Sequence, residues 1–452
     1  MRAIALASVL LASATCTSAQ CSSYLERKEW RALTTTERQN YINAVLCLKK
    51  LGSKLGKSVK SQSRFDDFAY VHYRALNIAH SSAHFLPWHR AYLHVYEQTL
   101  RAECKYTGAL PYWDWTIDSQ APEKSPIWSS SAFGGDGSTS STDRCVKTGP
   151  FASFKSQFGR PFCLSRTFSG NLGSTSSFYT PEAIYFMLSE LTTYDDFRRA
   201  VEEGPHNNVH GGIGGCMALI DMSANDPVFM LHHANIDRMW YIWQNMHLDV
   251  WADYGGPNAD DSEATQDDRI NLFGIGPTDR NWTVAQVLDT LASTPLCYTY
   301  LNTVRNGIND EGKRNQRRGI DDGLNLDTSN STVELLAAAD PYEVTSTGTA
   351  GSTPHHTDRH NKKKLRCPRP VSDHLAAQMR YDQETYDRMR RREREMCRFI
   401  HFVNSRFPKY RSRAALESVE AQVFVPISVD EEDKYRAAFR KMVAEYRSAK
   451  AV

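Results

Sequence analysis

Four histidines fall within residues 206–233, near the middle of the chain, in two groups separated by a glycine-rich segment. His206 and His210 stand four residues apart, so a helix through them places both imidazoles on one face, with their Cβ atoms ~5–6 Å apart. After the glycines of residues 211–215, a second helical pattern carries the adjacent pair His232 and His233. A single histidine is more often an ordinary core or surface residue. An HxxxH pair followed by HH, between glycine and proline turns, instead predicts a metal site to which one of the adjacent pair contributes.

A second histidine-rich segment lies upstream, at a density that core packing does not require. It contains His72, His80, His84, His89 and His94. Pro87 interrupts any helix through His84, so we expect a new helix to begin at Trp88. Three of the five histidines could converge on a second metal.

The composition is that of a globular protein, and the first 20 residues indicate secretion. The chain has 452 residues, of which 41% are hydrophobic and 11% aromatic, and its net charge of +2 offers no general field for nucleic acid or acidic membranes. Residues 1–20 combine one Arg, a short apolar run and small residues, which is typical of a secretory signal cleaved near Ala19 or Gln20. No later apolar run reaches the ~18 residues of a membrane-spanning helix. We therefore expect secretion and no membrane partner.

The cysteines support an oxidising compartment. Ten are present, and Cys16 leaves with the signal, so the odd remainder predicts at least one thiol outside any intrachain disulfide. No CxxC occurs, so disulfides are favoured over a zinc ribbon. Cys145 and Cys163 could staple a long Ser- and Gly-rich surface excursion over residues 118–180. Asn281 and Asn330 begin glycosylation sequons.

The order and spacing of these histidines resemble the type 3 copper family of tyrosinases, catechol oxidases and mollusc haemocyanins. The resemblance rests on His72, His80, FLPWHR (85–90), PHNNVH (205–210) and DPVFMLHHANIDRMW (226–240), and it extends over about residues 27–300. Secreted tyrosinases of filamentous fungi are the most similar. The resemblance implies a mainly α fold, with a central four-helix bundle holding a binuclear copper site, long loops and a C-terminal helical appendage.

Carried over by position, the resemblance implies two copper ions. It assigns CuA to His72, His80 and His89, and CuB to His206, His210 and His233. The choice of His233 over His232 rests on the family pattern alone. Two further histidines fall outside the set. His84 is expected to have a role in the pocket, and His94 to be an ordinary helix residue. Ile78 occupies the position of the cysteine that some relatives link to the second CuA histidine, so that thioether is absent.

The chemistry of the ligand set agrees with a redox pair. Six neutral imidazoles suit Cu, Zn, Fe or Ni. A hydrolytic zinc helix would carry a glutamate between His206 and His210, and none is there. Ligand imidazoles need an oxygen partner for their second nitrogen. Asp237 could orient His233 or form a surface salt bridge to Arg90 or Arg238; the carbonyls around residues 204–205 are other candidates.

Two residues bear on the reaction. In the family that the chain resembles, a Glu four residues before the first CuB histidine and an Asn directly after it hold a water that deprotonates a monophenol. The residues at these positions here are Glu202 and Asn207. Each could equally be ordinary, a solvated helix residue and a turn former. We predict a tyrosinase that uses O2 on phenolic or catecholic substrates. A catechol oxidase, an o-aminophenol oxidase or a haemocyanin-like O2 carrier are the alternatives.

The domain organisation follows from the resemblance and from composition. The resemblance implies a copper domain over residues 21–304, and composition predicts a linker over 305–360. Residues 361–452 are predicted to form a C-terminal helical region that shields the site, is removed, or is a solvated appendage. Within the copper domain, the Gly211–Ile220 turn is expected to form the pocket floor, and Trp113 and Trp115 to have structural roles.

Overall fold

The structure, a computed structural model, describes residues 21–300 apart from short gaps, and then 377, 382–407 and 441–449. The gaps are residues 57–58, 60, 120, 141, 153, 157–161, 169–174, 277–281 and 292–294. The predicted signal (1–20) and linker (305–360) lie outside the described residues.

Helices dominate the fold, so the mainly α prediction is confirmed. They are α1 (Thr35–Lys50), α2 (Arg64–Arg74), α3 (Leu76–Ala79), α4 (Phe85–Cys104), α5 (Pro181–Glu190), α6 (Tyr194–Val201), α7 (Asn207–Ile213), α8 (Val228–Met246), α9 (Ala285–Leu288), α10 (Gln383–Arg406) and α11 (441–449). Single 3-10 turns occur at Trp30–Ala32, Pro122–Lys124, Pro126–Trp128, Ser176–Tyr179, Gly215–Ala218 and Ser223–Asn225. None of the described helices is long and apolar enough to cross a membrane.

The strands are short and pair locally, with one exception. They are β1 (Leu25–Arg27), β2 (Lys155–Ser156), β3 (Phe162–Cys163), β4 (Arg269–Ile270), β5 (Trp282–Thr283) and β6 (Tyr298–Tyr300). β2 pairs with β3 and β4 with β5, both antiparallel. β1 and β6 run parallel, with Leu25 opposite Tyr298, so the two ends of the copper domain meet.

Helix α1 shows how local sequence sets an element boundary. The Thr34 hydroxyl accepts a hydrogen bond from the Glu37 N–H, and the Glu37 carboxylate accepts one from the Thr34 N–H. This capping box satisfies two N–H groups that a helix start leaves without partners. A disulfide from Cys47 to Cys104 then ties α1 to the end of α4.

Helix α4 begins earlier than its proline indicated. It runs from Phe85, with Pro87 inside the first turn, rather than from Trp88. The N–H groups of a first turn have no partner within the helix, so the missing N–H of proline costs nothing there. The expected start at Trp88 was therefore three residues late.

A π-helical turn, Glu202–His206, joins α6 to α7. Gly204 has non-helical dihedral angles (φ −87°, ψ −109°), and Pro205 has no N–H to donate. The Asn208 side chain donates to the Gly204 carbonyl at 2.8 Å, which provides a partner for that oxygen. A wider turn of this kind often marks a functional site, and here it lies directly before the first histidine of the 206–210 pair.

A buried cluster of charged residues and tyrosines stabilises the packing of the helices. Asp237 on α8 accepts from Arg90 Nε at 2.5 Å and from Arg27 Nη1 at 3.2 Å. The hydroxyls of Tyr298 and Tyr300 each donate to Asp237 Oδ2 at 2.5 Å. All of these side chains are buried, so each charge needs its partner. The cluster joins β1, α4, α8 and β6.

The cysteines largely follow the expectation from their odd number. Disulfides link Cys21 to Cys297, Cys47 to Cys104 and Cys145 to Cys163, the last pair being the predicted staple. Cys397 is also disulfide-bonded. Cys216 is a buried free thiol, with its sulfur 3.3 Å from the Ser165 hydroxyl.

Helix α10 packs against the copper domain and belongs to the same compact unit. Phe399 contacts Phe186 of α5, with ring centroids 5.1 Å apart, and lies in an apolar cluster with Ala183, Ile400 and Val403. Such a contact removes apolar surface from water, which is the main force holding an appended helix in place.

Candidate metal centre

The upstream histidines form a three-imidazole cluster. His72 lies near the end of α2, His80 directly follows α3, and His89 is in the second turn of α4. Their ligand nitrogens lie within 4.8 Å of one another, and all three residues are buried. The ring centroids are separated by 5.0 Å between His80 and His89 and by 5.1 Å between His72 and His80.

The downstream histidines form a second cluster with four members. The ligand nitrogens of His206, His210, His232 and His233 lie within 4.8 Å of one another. The ring centroids of His206 and His210 are 4.6 Å apart, as the four-residue spacing predicted. His232 and His233 both come from the second turn of α8. Three histidines were expected here, and the structure brings four together.

The two clusters share a border. The His89 and His233 rings are stacked with their centroids 4.3 Å apart, and those of His80 and His206 are 6.3 Å apart. Helices α2, α4 and α8, with the segment from α6 through α7, bring them together. A metal in one cluster would therefore lie close to a metal in the other.

Backbone carbonyls hold four of these rings by their Nδ1 atoms. His80 Nδ1 lies 3.1 Å from the Leu76 carbonyl, His89 Nδ1 2.7 Å from Phe85, His206 Nδ1 3.3 Å from Glu202 and His210 Nδ1 2.8 Å from Met217. An Nδ1–H bonded to an oxygen leaves the lone pair on Nε2. That is how proteins orient imidazoles for a metal.

Burial keeps these imidazoles neutral. It lowers the pKa of His80 to about 4 and that of His210 to about 3, and their backbone hydrogen bonds oppose the shift only in part. Burial, followed by neighbouring imidazoles, holds the pKa values of His72, His206 and His233 well below the usual histidine range. A metal requires the neutral form of its imidazole ligands, so no protons need to be displaced at neutral pH.

Several buried nitrogens have no partner within the described part of the chain. They include Nε2 of His72, His89 and His206. Leaving a buried polar atom without a partner costs ~1–3 kcal/mol, so such a concentration calls for a ligand. An all-imidazole donor set suits copper among the metals considered. The residues present therefore fit the pair of copper ions that the resemblance implies.

Glu202 and Asn207 both lie beside the second cluster. Glu202 Oε1 accepts from the Ser81 N–H at 2.6 Å, and Oε2 lies 3.4 Å from Arg198 Nη1. Burial raises the pKa of Glu202 to about 7, although Arg198 opposes the shift. Asn207 Oδ1 lies 2.9 Å from His206 Nδ1. Neither residue is the solvated or purely turn-forming residue of the alternative interpretation.

A cavity opens over the second cluster, with Glu202 and Asn207 in its wall. It is lined at its base by His80, His206 and His210, on one side by Met217, Ala218 and Ile220, and at its rim by Asp382, Thr385 and Arg388. The apolar side comes from the segment expected to form the pocket floor. The rim residues belong to α10 and its N-terminal cap.

Three expectations about supporting residues need correction. Asp237 pairs with Arg90, as one alternative expected, but the pair is buried with Arg27 and two tyrosines rather than at the surface, and Asp237 does not orient His233. His233 Nδ1 has no partner within the described residues. The Gly204 carbonyl accepts from Asn208 rather than from a histidine, and it is the Glu202 carbonyl that faces His206.

The histidines outside the clusters have other surroundings. His84 Nε2 lies 3.9 Å from the Asp268 carboxylate, a weak contact at the surface. His94 is buried in α4 against Trp282, with ring centroids 5.7 Å apart, and its Nδ1 has no partner within the described chain.

Two contacts at the site could not be anticipated from the histidine motifs. The Trp115 indole N–H donates to His232 Nδ1 at 3.2 Å, so Trp115 has more than a packing role. Arg388 and Arg392 of α10 both pair with Glu203, at 3.0 Å and 2.7 Å. The partners are 117 and more than 180 residues apart in sequence, and nothing local signals either pair.

Known proteins resemble the chain over this same region. Residues 62–246 match the family described as the common central domain of tyrosinase. The tyrosinase-like protein phomQ1' of Diaporthe leptostromiformis is 36% identical over 317 residues, covering 62% of this chain and 81% of that protein. The tyrosinase ustQ of Aspergillus flavus is 37% identical over 302 residues, covering 63% and 82%.

A solved structure agrees with the sequence matches. A polyphenol oxidase from Thermothelomyces thermophila is 28% identical, with a TM-score of 0.54 over 62% of this chain and 89% of that one. In the present structure, helices α2, α4 and α8 and the segment from α6 through α7 hold the two histidine clusters. The chain belongs to the tyrosinase family of type 3 copper oxidases, and its two histidine clusters fit a binuclear copper site.

Proposed function

We propose that the protein is a secreted tyrosinase, which hydroxylates monophenols and oxidises o-diphenols to o-quinones with O2. In this proposal His72, His80 and His89 bind CuA, and His206, His210 and His233 bind CuB. The observation that carries the monophenol step is the placement of Glu202 and Asn207 in the wall of the cavity over the second cluster.

The copper pair supplies the redox chemistry, in which O2 accepts electrons from a phenolic substrate. One monophenol and one O2 give one o-quinone and one water, so atoms and electrons balance without another reductant. Two catechols and one O2 give two o-quinones and two waters. The protein has to admit the ring, orient it and accept the phenolic proton.

Glu202 is suited to accept that proton through a water. A free phenol has a pKa near 10, whereas burial brings the pKa of Glu202 to about 7. A base whose pKa lies near the working pH is the most effective, because it is both available and strong enough. The Ser81 N–H and Arg198 hold the carboxylate from behind, so its position is set before the substrate arrives.

Asn207 is suited to a double role. Its side-chain oxygen lies 2.9 Å from His206 Nδ1, which orients that imidazole. Its amide nitrogen is then left to hold the same water as Glu202, since both residues line the cavity. The apolar wall of Met217, Ala218 and Ile220 provides the contact surface for an aromatic ring.

The C-terminal region is proposed to act as a cover. Asp382, Thr385 and Arg388 form part of the cavity rim, and Arg388 and Arg392 share the carboxylate of Glu203. The side chain of Glu203 is 10% exposed, so the double pairing lies in a setting of low polarity. We infer that release of residues 361–452 widens the entrance to the site.

Secretion is proposed from the predicted signal at residues 1–20 and agrees with the disulfides. Three closed bridges within the copper domain are typical of an oxidising compartment.

The test is oxygen uptake by copper-loaded protein with tyrosine, catechol and o-aminophenol as separate substrates. A tyrosinase consumes O2 with tyrosine and with catechol. Uptake with catechol alone would make the protein a catechol oxidase, and uptake restricted to o-aminophenol would assign that activity instead. Reversible O2 binding without turnover of any substrate would contradict the enzyme proposal.

A further inference from the structure

The second cluster holds one imidazole more than a three-coordinate copper position takes. We propose that the Trp115 indole N–H keeps His232 from binding copper, and so leaves the third position to its neighbour His233. This inference deepens the proposed function and rests on the copper assignment made there.

The indole nitrogen determines which nitrogen of His232 carries a proton. Trp115 Nε1 lies 3.2 Å from His232 Nδ1, and an indole N–H can only donate. His232 Nδ1 must therefore present its lone pair to Trp115, which in the neutral ring leaves the proton on Nε2. A ring in this tautomer has no lone pair for a metal at Nε2, and its Nδ1 is already in use.

Moving the proton of His232 would not free the ring for copper. With hydrogen on Nδ1, two donors would face each other across the contact with Trp115, and both residues are fully buried, each with 0% exposure. Neither side chain is exposed to bulk solvent that could supply a substitute acceptor. That tautomer leaves two buried donors unpaired, whereas the proposed one leaves only the His232 Nε2–H without a partner in the described chain, and the difference opposes the form that copper would need.

The backbone next to Trp115 is hydrogen-bonded to α8. The backbone N–H of Trp113 donates to the carbonyl of Leu231, the residue before His232, at 3.1 Å. The backbone N–H of Trp115 donates to the Trp113 carbonyl at 3.0 Å. The indole also packs edge to face on Tyr179, with ring centroids 5.5 Å apart. The backbone bonds place Trp115 beside His232, and the contact with Tyr179 limits rotation of the indole.

His233 has the opposite surroundings. Its Nε2 faces His210 Nε2 at 3.2 Å, and its ring is stacked on His89 of the first cluster. No donor of the described chain occupies its Nδ1. His233 is thus free to adopt the tautomer with its lone pair directed between the clusters, whereas His232 is not.

The direct test is the tautomer of His232 in metal-free protein, read from the two nitrogen shifts of ¹⁵N-labelled histidine. We expect the Nε2–H form in the wild type and its loss in Trp115→Phe. Trp113→Phe is the matched control, because it removes a buried indole whose N–H donates to Asp118 instead. An Nδ1–H form of His232 in the wild type would overturn the proposal without any need for copper.

Copper titration gives the second readout. Trp115→Phe removes the donor that holds His232 off the metal, so we expect it to restore the second copper when it is combined with His233→Phe. His232→Phe should still bind two coppers, and His233→Phe only one. The reverse result for these two variants would overturn the assignment. A wild-type protein that bound no copper would refute the proposed function, and the tautomer would still decide the role of Trp115.

Discussion

The two histidine clusters are held in different ways. In the first, the Nδ1 atoms of His80 and His89 each face a carbonyl four residues earlier in the chain, a contact that His206 of the second cluster also makes. In the second, orientation depends on a π-helical turn, on the Asn207 side chain and on a carbonyl seven residues away at Met217. The second cluster also contains an extra imidazole.

The contrast extends to the neighbouring groups. Glu202, Asn207 and the apolar cavity wall all lie beside the second cluster, and so does Glu203, which α10 contacts. Of the three histidines in the first cluster, His80 lines the same cavity, whereas His72 and His89 pack against Trp88 and against Phe229, which also stacks on His233. The first cluster is accordingly suited to metal retention, whereas the second combines metal binding with substrate and proton chemistry.

Removing one ligand from each cluster tests this division most strongly. We expect His89→Ala and His210→Ala each to lower the copper content from two ions to one per chain and to reduce O2 uptake to background. Metal analysis of the purified variants checks the result. Two retained coppers in either variant would refute the ligand assignment for that cluster.

Glu202→Gln separates proton transfer from metal binding. General acid–base groups contribute about 10²- to 10⁴-fold, so we expect oxidation of tyrosine to fall by about 10²-fold while catechol oxidation stays near the wild-type rate. Glu203→Gln is the matched neighbour and should leave the ratio of the two rates unchanged. Equal tyrosine and catechol losses in Glu202→Gln would assign the residue to structure instead.

Acid should destabilise the metal-free protein through both clusters. The pKa values of their histidines are lowered in the folded state, to about 4 for His80 and about 3 for His210, and lie near 6.5 in the unfolded chain. The unfolded chain therefore binds more protons below pH ~6.5, and the free energy of unfolding falls as the pH falls towards about 4.

The slope of that loss is measurable by urea unfolding across this pH range. Each buried histidine contributes ~1.4 kcal/mol per pH unit, so His80→Phe should reduce the slope by about one proton. A metal-free protein with constant stability over the range would contradict the neutral, buried state of the clusters.

The smallest effect is expected at the rim. Arg388→Ala removes one of two partners of Glu203, a partly buried pair whose loss is worth about 1 kcal/mol, so we expect a rise in catechol oxidation of about 5-fold. Arg391→Ala, on the exposed side of α10, is the control and should change nothing. Unchanged or reduced activity in Arg388→Ala would contradict the covering role of α10.

Much of this architecture was predictable because its signals are local. The spacing of His206 and His210 predicted both rings on one face, and the Thr three residues before Glu37 is an equally local signal for the capping box that begins α1. These features depend on residues within one helical turn of each other. Proximity in sequence is enough to set their geometry.

The remainder depended on contacts between distant segments. Asp237 was expected either to orient His233 or to pair with Arg90 or Arg238; it pairs with Arg90 and also with Arg27, more than 200 residues earlier in the chain. The indole of Trp115 reaches His232 only because the 111–115 segment is hydrogen-bonded along α8. The hydrophobic periodicity of the sequence does not indicate such pairs, because they form only when the helices pack.

The central claim is that the two clusters together form one oxidative site. It is tested most directly by titrating metal-free protein with copper while following catechol-dependent O2 uptake. The account predicts that uptake rises with copper and reaches its plateau at two ions per chain. A plateau at one ion per chain, or a protein that holds two ions without consuming O2, would contradict it.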